Sequence, residues 1–351
     1  MKNDIGIGII GVGGIAQGGH LLPLKNCVGA KVAAICDSDK DILDKIGDKI
    51  GVSKECRFTN YKELIRCPVV DAVEICSPNY LHAQMAIDAI NADKPVSVEK
   101  PLALNYKQAK EIESALKNKN LPFMICFSYR FKPAVRFAKW ILSQGLIGDV
   151  ITLNAEYFKS SGLIEGRRLE WRFIKDLAGT GVLGDLGSHL IDMARFLIGD
   201  FSAVCSRTGI VVKERRHLNS EEYGAVETDD YCNFLADFKC GAAGTFSITR
   251  CAIGKENSIR YDIFGSKGVI SFDLNNPARL GVCIGEVDVK ASGMHTVEVP
   301  REYYTDQEQA FVDLINGEIH EYTPTVDDGV KCQQILDALL ESNNKNSWVR
   351  L

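Results

Sequence analysis

A glycine-rich segment, Gly11-Val12-Gly13-Gly14-Ile15-Ala16, follows an apolar run near the start of the chain and precedes a sequence typical of a helix. Gly11 permits a tight turn, Gly13 has no side chain to obstruct a phosphate, and Ala16 is small enough for close packing of helix on strand. Backbone N–H groups at the start of such a helix can bind an anion. The segment fits the G-x-G-x-x-G/A pattern and therefore predicts a pyrophosphate site.

A carboxylate, Asp37, stands at the end of the next predicted strand, about 20 residues after the glycine-rich segment. In dinucleotide-binding folds a carboxylate at this point accepts hydrogen bonds from the adenosine ribose hydroxyls. A 2′-phosphate would meet like charge from Asp37 and Asp39, no arginine stands nearby, and only Lys40 weakens this repulsion. The order of strand, turn, helix and acid predicts NAD as the cofactor, with NADP disfavoured.

Polar and ionisable side chains also follow two later predicted strands. Ser77-Pro78-Asn79, with His82 shortly after it, follows the apolar run 70–75, and Glu99-Lys100-Pro101 closes the run 95–99. Open α/β sheets bind their ligands at the carboxyl ends of the strands. Lys100 is therefore predicted at the mouth of a cofactor crevice. A surface lysine after a strand is the alternative interpretation.

An aspartate and a histidine, Asp185 and His189, lie four residues apart in the segment 184–189. If a helix starts near Leu186, the two side chains share one face close to its first turn. Imidazole titrates near neutrality and suits the proton transfer that accompanies hydride transfer, and the carboxylate could orient the ring or bind a hydroxyl. Half of a metal site is disfavoured, because the chain has six histidines and no H-E-x-x-H motif. A core histidine stays open on these residues alone.

Four motifs in this order, at 11–16, 77–82, 99–101 and 184–189, resemble those of the glucose–fructose oxidoreductase, inositol dehydrogenase and MocA (Gfo/Idh/MocA) family. The resemblance covers nearly the whole chain. It implies that Lys100 lies beside the nicotinamide and contacts the reacting hydroxyl, and that the Lys100–Pro101 peptide is cis. It also implies that His189 is the general base and Asp185 its neighbour.

The resemblance extends to the cofactor and substrate residues. Trp171-Arg172 and Tyr129-Arg130 are candidates for the substrate wall, because an aromatic face suits a sugar ring and a guanidinium suits hydroxyls or an acid group. Some family branches carry a Trp-Arg pair at a distance before the histidine that matches Trp171-Arg172. A packed tryptophan beside a salt-bridged arginine is an equal alternative. The residues expected to bind the cofactor are Gly11, Gly13, Gly14, Ile15, Ala16, Asp37, Ser77, Pro78, Asn79, His82, Glu99 and Lys100.

The activity that the resemblance implies is NAD-dependent hydride transfer between nicotinamide and a secondary alcohol of a sugar or an inositol-like polyol. A reductase using NAD(P)H, or a nucleotide-sugar 3-dehydrogenase, would use the same residues. A non-catalytic dinucleotide-binding regulator is a third hypothesis. Such a regulator would be expected to lose the lysine or the histidine, whereas this chain keeps Lys100, Asp185 and His189.

The elements that must position these residues fall into two patterns. Strand-like and helix-like segments alternate up to residue 128, which predicts βαβ units and a doubly wound parallel Rossmann sheet. Consecutive strands with few helices then predict an α+β domain with a large, mainly antiparallel, open-faced sheet. We expect the NAD-binding domain at 1–128, a substrate-binding and oligomerisation domain at 129–325, and a C-terminal helix at 326–351 that packs back on the first domain.

Composition excludes several classes of partner. The 351 residues carry a net charge of −5 with no basic stripe, which argues against a nucleic-acid partner. Apolar runs are broken well before the ~18 residues that a membrane-spanning helix needs. Without an export signal, and with 12 scattered cysteines lacking a C-x-x-C pair, the expected location is the reducing cytoplasm. One face of the open second-domain sheet is expected to be apolar and to need a partner. The family resemblance implies that this partner is a second copy of the sheet, in a homodimer or homotetramer.

Overall fold

The structure, a computed structural model, describes residues 4–291 and 293–351. Contacts between residues divide this part of the chain into two compact units. The first unit comprises the residues up to Phe127 together with Asp306–Val330. The second unit comprises Ser128–Thr305 together with Lys331–Leu351.

The first part of the chain alternates strands and helices. Its strands are β1 (Ile5–Ile10), β2 (Ala30–Cys36), β3 (Arg57–Phe58), β4 (Ala72–Ile75), β5 (Val96–Glu99) and β6 (Phe123–Cys126). Its helices are α1 (Leu22–Leu24), α2 (Lys40–Ile50), α3 (Tyr61–Arg66), α4 (Asn79–Asn91) and α5 (Tyr106–Leu116). The strands are parallel and lie in the order β3-β2-β1-β4-β5-β6. This order confirms the predicted doubly wound sheet, and its switch point lies between β1 and β4.

The inner strands of this sheet carry nearly continuous apolar runs, as a parallel sheet covered on both faces requires. Every residue of β4, β5 and β6 is buried. Two of these buried residues are carboxylates, Glu74 in β4 and Glu99 at the end of β5. A buried carboxyl group is stable only when it is protonated or has a hydrogen-bond or ionic partner. Glu74 and Glu99 therefore each need such a partner or a proton.

Strands dominate the rest of the chain. They are β7 (Val150–Phe158), β8 (Phe201–Gly209), β9 (Glu214–Arg216), β10 (Tyr223–Ala225), β11 (Tyr231–Phe238), β12 (Ala243–Thr249), β13 (Ser258–Gly265), β14 (Gly268–Asp273), β15 (Arg279–Ile284), β16 (His295–Glu298) and β17 (Val349–Arg350). The helices are α6 (Pro133–Ser143), α7 (Lys175–Ala178), α8 (Ser188–Leu197), α9 (Glu286–Ala291), α10 (Gln307–Ile315) and α11 (Val326–Lys345).

Nine of these strands form one sheet in the order β16-β15-β14-β13-β7-β12-β11-β8-β17. Neighbouring strands are antiparallel except for β7 and β12, which run parallel. The large, mainly antiparallel sheet predicted from the sequence is thereby confirmed. Strands β9 and β10 pair separately as a short antiparallel ribbon.

The two faces of the nine-stranded sheet differ. Along β11, Phe234 and its alternate neighbours are buried, and the Phe234 ring stacks on Phe246 of β12 with centroids 4.2 Å apart. The opposite face carries exposed residues such as Asn233, Asp237 and Thr245, with Leu235 as an apolar residue among them. The open face is therefore present as predicted, but it is more polar than the sequence analysis expects.

The C-terminal segment differs from the expectation that all of 326–351 packs on the first domain. From Lys331 onwards it belongs to the second unit, where the Ser206 N–H donates to Ser342 Oγ (3.0 Å) and the Ser206 hydroxyl donates to the Leu339 carbonyl (2.5 Å). Strand β17 then pairs with β8 and extends the sheet. These hydrogen bonds connect polar groups of helix α11 to strand β8. Hydrophobic periodicity in the sequence does not reveal such polar contacts.

No helix among the described residues combines the length and the apolar character that crossing a bilayer requires.

Candidate active site

The glycine-rich turn connects β1 to a helical segment, and its glycines serve different purposes. Gly11 has φ of +90°, and a Cβ there would lie 2.8 Å from the Cys76 carbonyl oxygen. Gly13 and Gly14 instead face open space, since a Cβ at either position would meet no atom within 4 Å. The backbone on this side of the turn is therefore accessible, which suits a phosphate group bound by N–H groups.

Asp37 braces this turn from the end of β2. Its Oδ2 accepts the Val12 N–H at 2.9 Å, and its Oδ1 accepts the Asp39 N–H at 3.0 Å. The side chain is half-buried, and each carboxylate oxygen can accept a further hydrogen bond. Asp37 can thus hold the turn and still accept a bond from a ribose hydroxyl.

The helix after the turn begins as a π-helical turn, Ala16–Leu21, rather than as a regular α-helix. Pro23 follows in the first turn of the short α1 helix. Proline has no N–H and its ring crowds the carbonyl four residues earlier, so a wider turn before it relieves both problems. The π-helical turn also brings the His20 side chain into the interior, where it is 1% exposed.

The second and third motifs are joined by one buried histidine. His82 Nδ1 lies 2.8 Å from the Pro101 carbonyl oxygen, and its Nε2 lies 2.8 Å from the Ser77 carbonyl oxygen. Burial lowers the pKa of His82, so at neutral pH the ring has one N–H and donates to one of the two carbonyls. The structure thus brings 77–82 and 99–101 together, with His82 as an internal bridge between the two backbones.

The Lys100–Pro101 peptide is cis, which confirms what the family resemblance implies. The Lys100 N–H donates to Glu99 Oε2 at 3.1 Å, and Glu99 Oε1 lies 3.1 Å from Nε2 of His20. The backbone of Lys100 is therefore held by a carboxylate that is itself held by a buried histidine.

His20 is a residue that sequence reasoning missed. Its signal was a histidine within an otherwise apolar helical segment, together with Glu74 inside an apolar strand. Such polar residues at core positions require partners. In the structure they are partners of each other, with His20 Nδ1 3.3 Å from Glu74 Oε2.

In the second unit, Asp185 lies in a π-helical turn, Leu183–Gly187, and His189 lies in the first turn of α8. The predicted regular helix from Leu186 is therefore replaced by a π turn followed by an α-helix. Single π turns within helices occur often at functional sites. The wider turn changes the angular offset between Asp185 and His189 from that of an α-helix.

A buried aspartate that the sequence analysis did not select fixes the approach to this turn. Asp229 Oδ1 accepts the Gly181 N–H at 2.7 Å, and its Oδ2 accepts the Leu183 N–H at 2.8 Å. Burial raises the pKa of Asp229, although these two backbone bonds oppose the shift. A Cβ on Gly181 would lie 1.9 Å from the Asp229 carbonyl oxygen, so only glycine allows this approach.

Two tyrosines adjoin the His189 ring. The Tyr129 ring lies 4.4 Å from it between centroids, and the Tyr157 ring lies 6.3 Å away. The Tyr157 hydroxyl donates to Asn257 Oδ1 (3.0 Å), so the Tyr129 hydroxyl must donate in the 2.9 Å contact between the two hydroxyls. Burial, and then Tyr129, raise the pKa of Tyr157 far above its ordinary value. His189 is 7% exposed and so stands against a fixed, neutral aromatic wall.

Arg130 does not take the place that its pairing with Tyr129 in the sequence predicts. Its side chain is 3% exposed, and Nε and Nη2 bind Asp192 at 2.9 and 2.6 Å. The guanidinium also lies 5.0 Å from the centroid of the Phe196 ring. The Arg130 guanidinium is thus paired with a carboxylate of α8. Arg130 therefore stabilises the turn that carries Tyr129 and does not form part of a substrate wall.

Trp171 and Arg172 lie in one 3-10 turn, Trp171–Phe173, and both are half-buried. The Arg172 guanidinium lies 4.4 Å from the centroid of the Trp171 ring. It forms no ion pair with any described residue, so the alternative of a salt-bridged arginine gains no support. Below the pair, the buried Phe173 ring is contacted by the guanidiniums of Arg167, Arg215 and Arg250, which anchor the turn.

Two family models match the chain. A model described as an oxidoreductase family with an NAD-binding Rossmann fold matches residues 5–127. A model described as the GFO/IDH/MocA C-terminal domain matches residues 135–271. The first match includes Lys100, and the second includes Asp185 and His189.

Curated proteins and solved structures agree with these models. The levoglucosan dehydrogenase of Pseudarthrobacter phenanthrenivorans is 32% identical over 345 residues, which cover 90% of this chain and 88% of that protein. The myo-inositol 2-dehydrogenase of Thermotoga maritima is 30% identical over 277 residues, covering 76% of this chain and 75% of that protein. A solved structure of levoglucosan dehydrogenase in complex with NADH and levoglucosan matches with a TM-score of 0.91 and 29% identity, covering 99% of both chains.

Proposed function

The chain belongs to the Gfo/Idh/MocA oxidoreductase family, and from this membership we propose that it oxidises a secondary alcohol of a neutral sugar or polyol, with NAD⁺ as the hydride acceptor. The observation that carries the proposal is the position of Lys100. It follows β5 at the carboxyl edge of the sheet, the edge to which the glycine-rich turn after β1 also belongs. Ligands of doubly wound sheets bind at this edge.

The residues of the first unit fit a bound NAD. The exposed backbone at Gly13 and Gly14 would hold the pyrophosphate, and Asp37 would accept the adenosine ribose hydroxyls and repel a 2′-phosphate. Ser77, Pro78 and Asn79 at the end of β4 complete the proposed cofactor edge. When bound, NAD⁺ supplies the acceptor for the hydride.

The protein residues move the proton and stabilise charge. We assign His189 as the base that takes the hydroxyl proton, with Asp185 as the carboxylate that orients the ring or binds a second hydroxyl. Lys100 stabilises the developing alkoxide with its ammonium charge. Tyr129 and the Trp171-Arg172 pair form the wall for the substrate, where aromatic faces suit a sugar ring and an unpaired guanidinium suits hydroxyl groups.

A substrate panel tests the proposal directly. The purified protein is mixed with NAD⁺ or NADP⁺ and with anhydro sugars, aldoses and inositols, and formation of the reduced cofactor is followed by absorbance. We expect turnover with at least one neutral sugar or polyol, and with NAD⁺ preferred. Tight NADH binding without turnover on the whole panel would contradict the proposal and favour the regulator.

We propose further that the protein works in the reducing cytoplasm and assembles as a homodimer or homotetramer. All twelve cysteines are free thiols, and six of them are at least partly exposed, which suits a reducing environment. The open face of the nine-stranded sheet is the surface proposed for assembly. Thiol titration of the protein purified without reductant, and light scattering coupled to gel filtration, test these two statements.

A further inference from the structure

Four ionisable side chains meet inside the first unit. His20 comes from the π-helical turn after the glycine-rich segment, Glu74 from β4, Glu99 from the end of β5 and Glu308 from the first turn of α10. His20 is 1% exposed, Glu74 and Glu308 are 0% exposed, and Glu99 is 7% exposed. Three carboxylates in so little solvent require protons or cations to neutralise part of their charge.

Carboxyl oxygens lie beside both nitrogens of the His20 ring. Its Nε2 lies 3.1 Å from Glu99 Oε1, while its Nδ1 lies 3.3 Å from Glu74 Oε2 and 3.1 Å from Glu308 Oε1. A neutral imidazole would direct a nitrogen lone pair at one of these oxygens, whereas an imidazolium has an N–H on both sides. Burial alone lowers the pKa of His20, but contacts with Cys76 and Glu308 outweigh it and raise the pKa well above its ordinary value.

One imidazolium cannot balance three carboxylates, and the two that share its Nδ1 are not equivalent. Glu308 lies at the N-terminus of α10, where the helix dipole favours a negative charge, and the Gln307 side chain donates to its Oε1 at 3.0 Å. Glu74 lies on a strand, without a helix dipole beside it, and neither of its two buried oxygens has a hydrogen bond of good geometry among the described residues, although His20 Nδ1 lies 3.3 Å from Oε2. The shared proton therefore belongs mainly to Glu74.

The direction of the pKa shifts agrees with this assignment. Burial, and then the charge of Glu308, raise the pKa of Glu74 well above its ordinary value. Burial opposes ionisation of Glu308 as well, but the contacts with His20 and Glu74 outweigh it and lower its pKa. The two thiols beside the ring stay neutral, because burial raises the pKa of Cys76 to about 11 and that of Cys126 well above its ordinary value.

We propose that Glu74 and Glu308 form a buried proton-sharing site that keeps His20 as an imidazolium, and that His20 in turn positions Lys100 through Glu99. The connection is continuous: His20 Nε2 donates to Glu99 Oε1, and Glu99 Oε2 accepts the Lys100 N–H at 3.1 Å. His20 is thus a positioning residue. The effect of His20 on the reaction rests on the proposed function of Lys100. The proton shared by Glu74 and Glu308 is independent of that proposed function.

A divalent cation is the rival occupant of the same place. Nδ1 of His20 and one oxygen each of Glu74 and Glu308 lie within 4.8 Å of one another, and Glu99 would be the outer partner of a ligating histidine. The two occupants make opposite predictions for Glu74. A protonated carboxyl tolerates an uncharged amide in its place, whereas a metal ligand does not.

The first experiment compares E74Q, E308Q and the double variant, with the exposed E111Q as control. We expect E74Q to keep its Tm and at least half of its kcat, because glutamine mimics the protonated acid. In E308Q the remaining Glu74 loses its proton and replaces the missing charge, so the loss is small. The double variant leaves Nδ1 without a carboxylate, and its loss of Tm exceeds the sum of the single losses.

Infrared spectroscopy reads the proton without any turnover. The wild-type protein should show the carbonyl stretch of a neutral carboxylic acid at about pH 8, where ordinary glutamates are ionised, and E74Q should lack it. Absence of this band in the wild type, or damage by E74Q as severe as by the double variant, would overturn the proposal. So would a stoichiometric metal ion in the protein as purified, measured by mass spectrometry.

A second experiment tests the positioning role with H20Q, with the exposed H217Q as control. Without the imidazolium, the Glu99 side chain loses the group that holds its Oε1, so its bond to the Lys100 N–H weakens. Hydrogen exchange of the Lys100 amide, measured by NMR without substrate, should then become faster by about tenfold, whereas the amides of α5 should exchange as in the wild type. In the enzyme assay kcat falls tenfold or more while the Kd for NADH changes less than twofold. An unchanged exchange rate of the Lys100 amide would overturn the positioning role. Because amide exchange and infrared spectra need no substrate, failure of the proposed function would be recognised separately.

Discussion

Arg130 and Asp192 form a bidentate ion pair in the interior of the second unit, with contacts of 2.9 and 2.6 Å. The two side chains are 3% and 1% exposed. The pair connects the turn that carries Tyr129 to helix α8, which carries His189 in its first turn. The pair therefore supports the turn that places the Tyr129 ring beside His189.

Removing one partner of the Arg130–Asp192 pair should destabilise the fold and leave substrate binding unchanged. R130M leaves Asp192 as an uncompensated buried charge, which costs about 3–5 kcal/mol of unfolding free energy. Urea denaturation measures the loss, and the control R66M on the surface should show none of this size. R130M/D192L should recover much of the loss. A raised KM for substrate in folded R130M would instead restore Arg130 to the substrate wall.

K100M should abolish turnover while the protein still binds NADH. Loss of a single group that stabilises developing charge lowers kcat by about 10²–10³-fold. Rates are measured by the absorbance of reduced cofactor, and binding by NADH fluorescence. The control is K107M, an exposed lysine on α5. Activity near the wild-type level would remove Lys100 from the mechanism.

D37N should weaken the preference for NAD. Asparagine keeps an acceptor for the Val12 N–H but removes the negative charge that repels a 2′-phosphate. We expect the ratio of kcat/KM for NAD⁺ over NADP⁺ to fall by about tenfold, the equivalent of about 1.4 kcal/mol. E111Q serves as the charge-matched control. An unchanged ratio would mean that another group selects the cofactor.

The buried His82 should make stability depend on pH. Its pKa is lowered by burial, so between that value and the ordinary value of about 6.5 the unfolded chain binds more protons than the folded one. The stability that neutral His82 supplies is present above about pH 6.5 and is lost as the pH falls below it. H82Q should flatten the decline in unfolding free energy between about pH 7 and pH 5.

The comparison with wild type isolates His82 from the opposite trend of His20. The raised pKa of His20 supplies stability that is present below about pH 6.5 and is lost as the pH rises through the folded-state value. H217Q, an exposed histidine, should leave the slope unchanged. An equal decline in H82Q and wild type would show that His82 is not the group that titrates.

The assembly surface can be tested at one residue. Leu235 is 48% exposed and lies in β11, on the open face of the sheet. L235R places a charge there, and we expect the dimer or tetramer to dissociate into smaller species in light-scattering measurements. L218R, at a leucine that is 60% exposed on a loop, is the matched control. Retention of the wild-type mass in L235R would place the interface elsewhere.

Much of the fold follows from local pattern. Strand β1 at Ile5–Ile10, strand β7 at Val150–Phe158 and the parallel order of the first sheet agree with periodicity and turn signals. Strand β17 has two residues, too few to form a pattern. Its existence depends on pairing with β8, a contact between distant parts of the chain.

The candidate site residues that belong to sequence motifs could be predicted, whereas the residues that depend on packing between distant segments could not. The glycine-rich turn, Asp37 and Lys100 stand in patterns whose physical reasons are local. The two π-helical turns were not predicted. The first precedes Pro23, a local signal that the sequence analysis did not use, and the second depends on Asp229, which is distant in sequence. In the sequence, His20 and Glu74 are recognisable only as polar residues in apolar segments. That pattern does not indicate which residues they contact.

The first unit is completed by residues from late in the chain, and this has a consequence for synthesis on the ribosome. Val28 N–H donates to Gln309 Oε1 at 2.9 Å, the Ile125 N–H donates to the Pro324 carbonyl at 3.3 Å, and His20 needs Glu308. All six strands of the first sheet lie before residue 127, but the unit to which they belong stays incomplete until nearly the whole polypeptide has emerged. We expect a fragment ending at residue 128 to be less stable to denaturation than a fragment in which residues 306–330 are joined to it by a short linker.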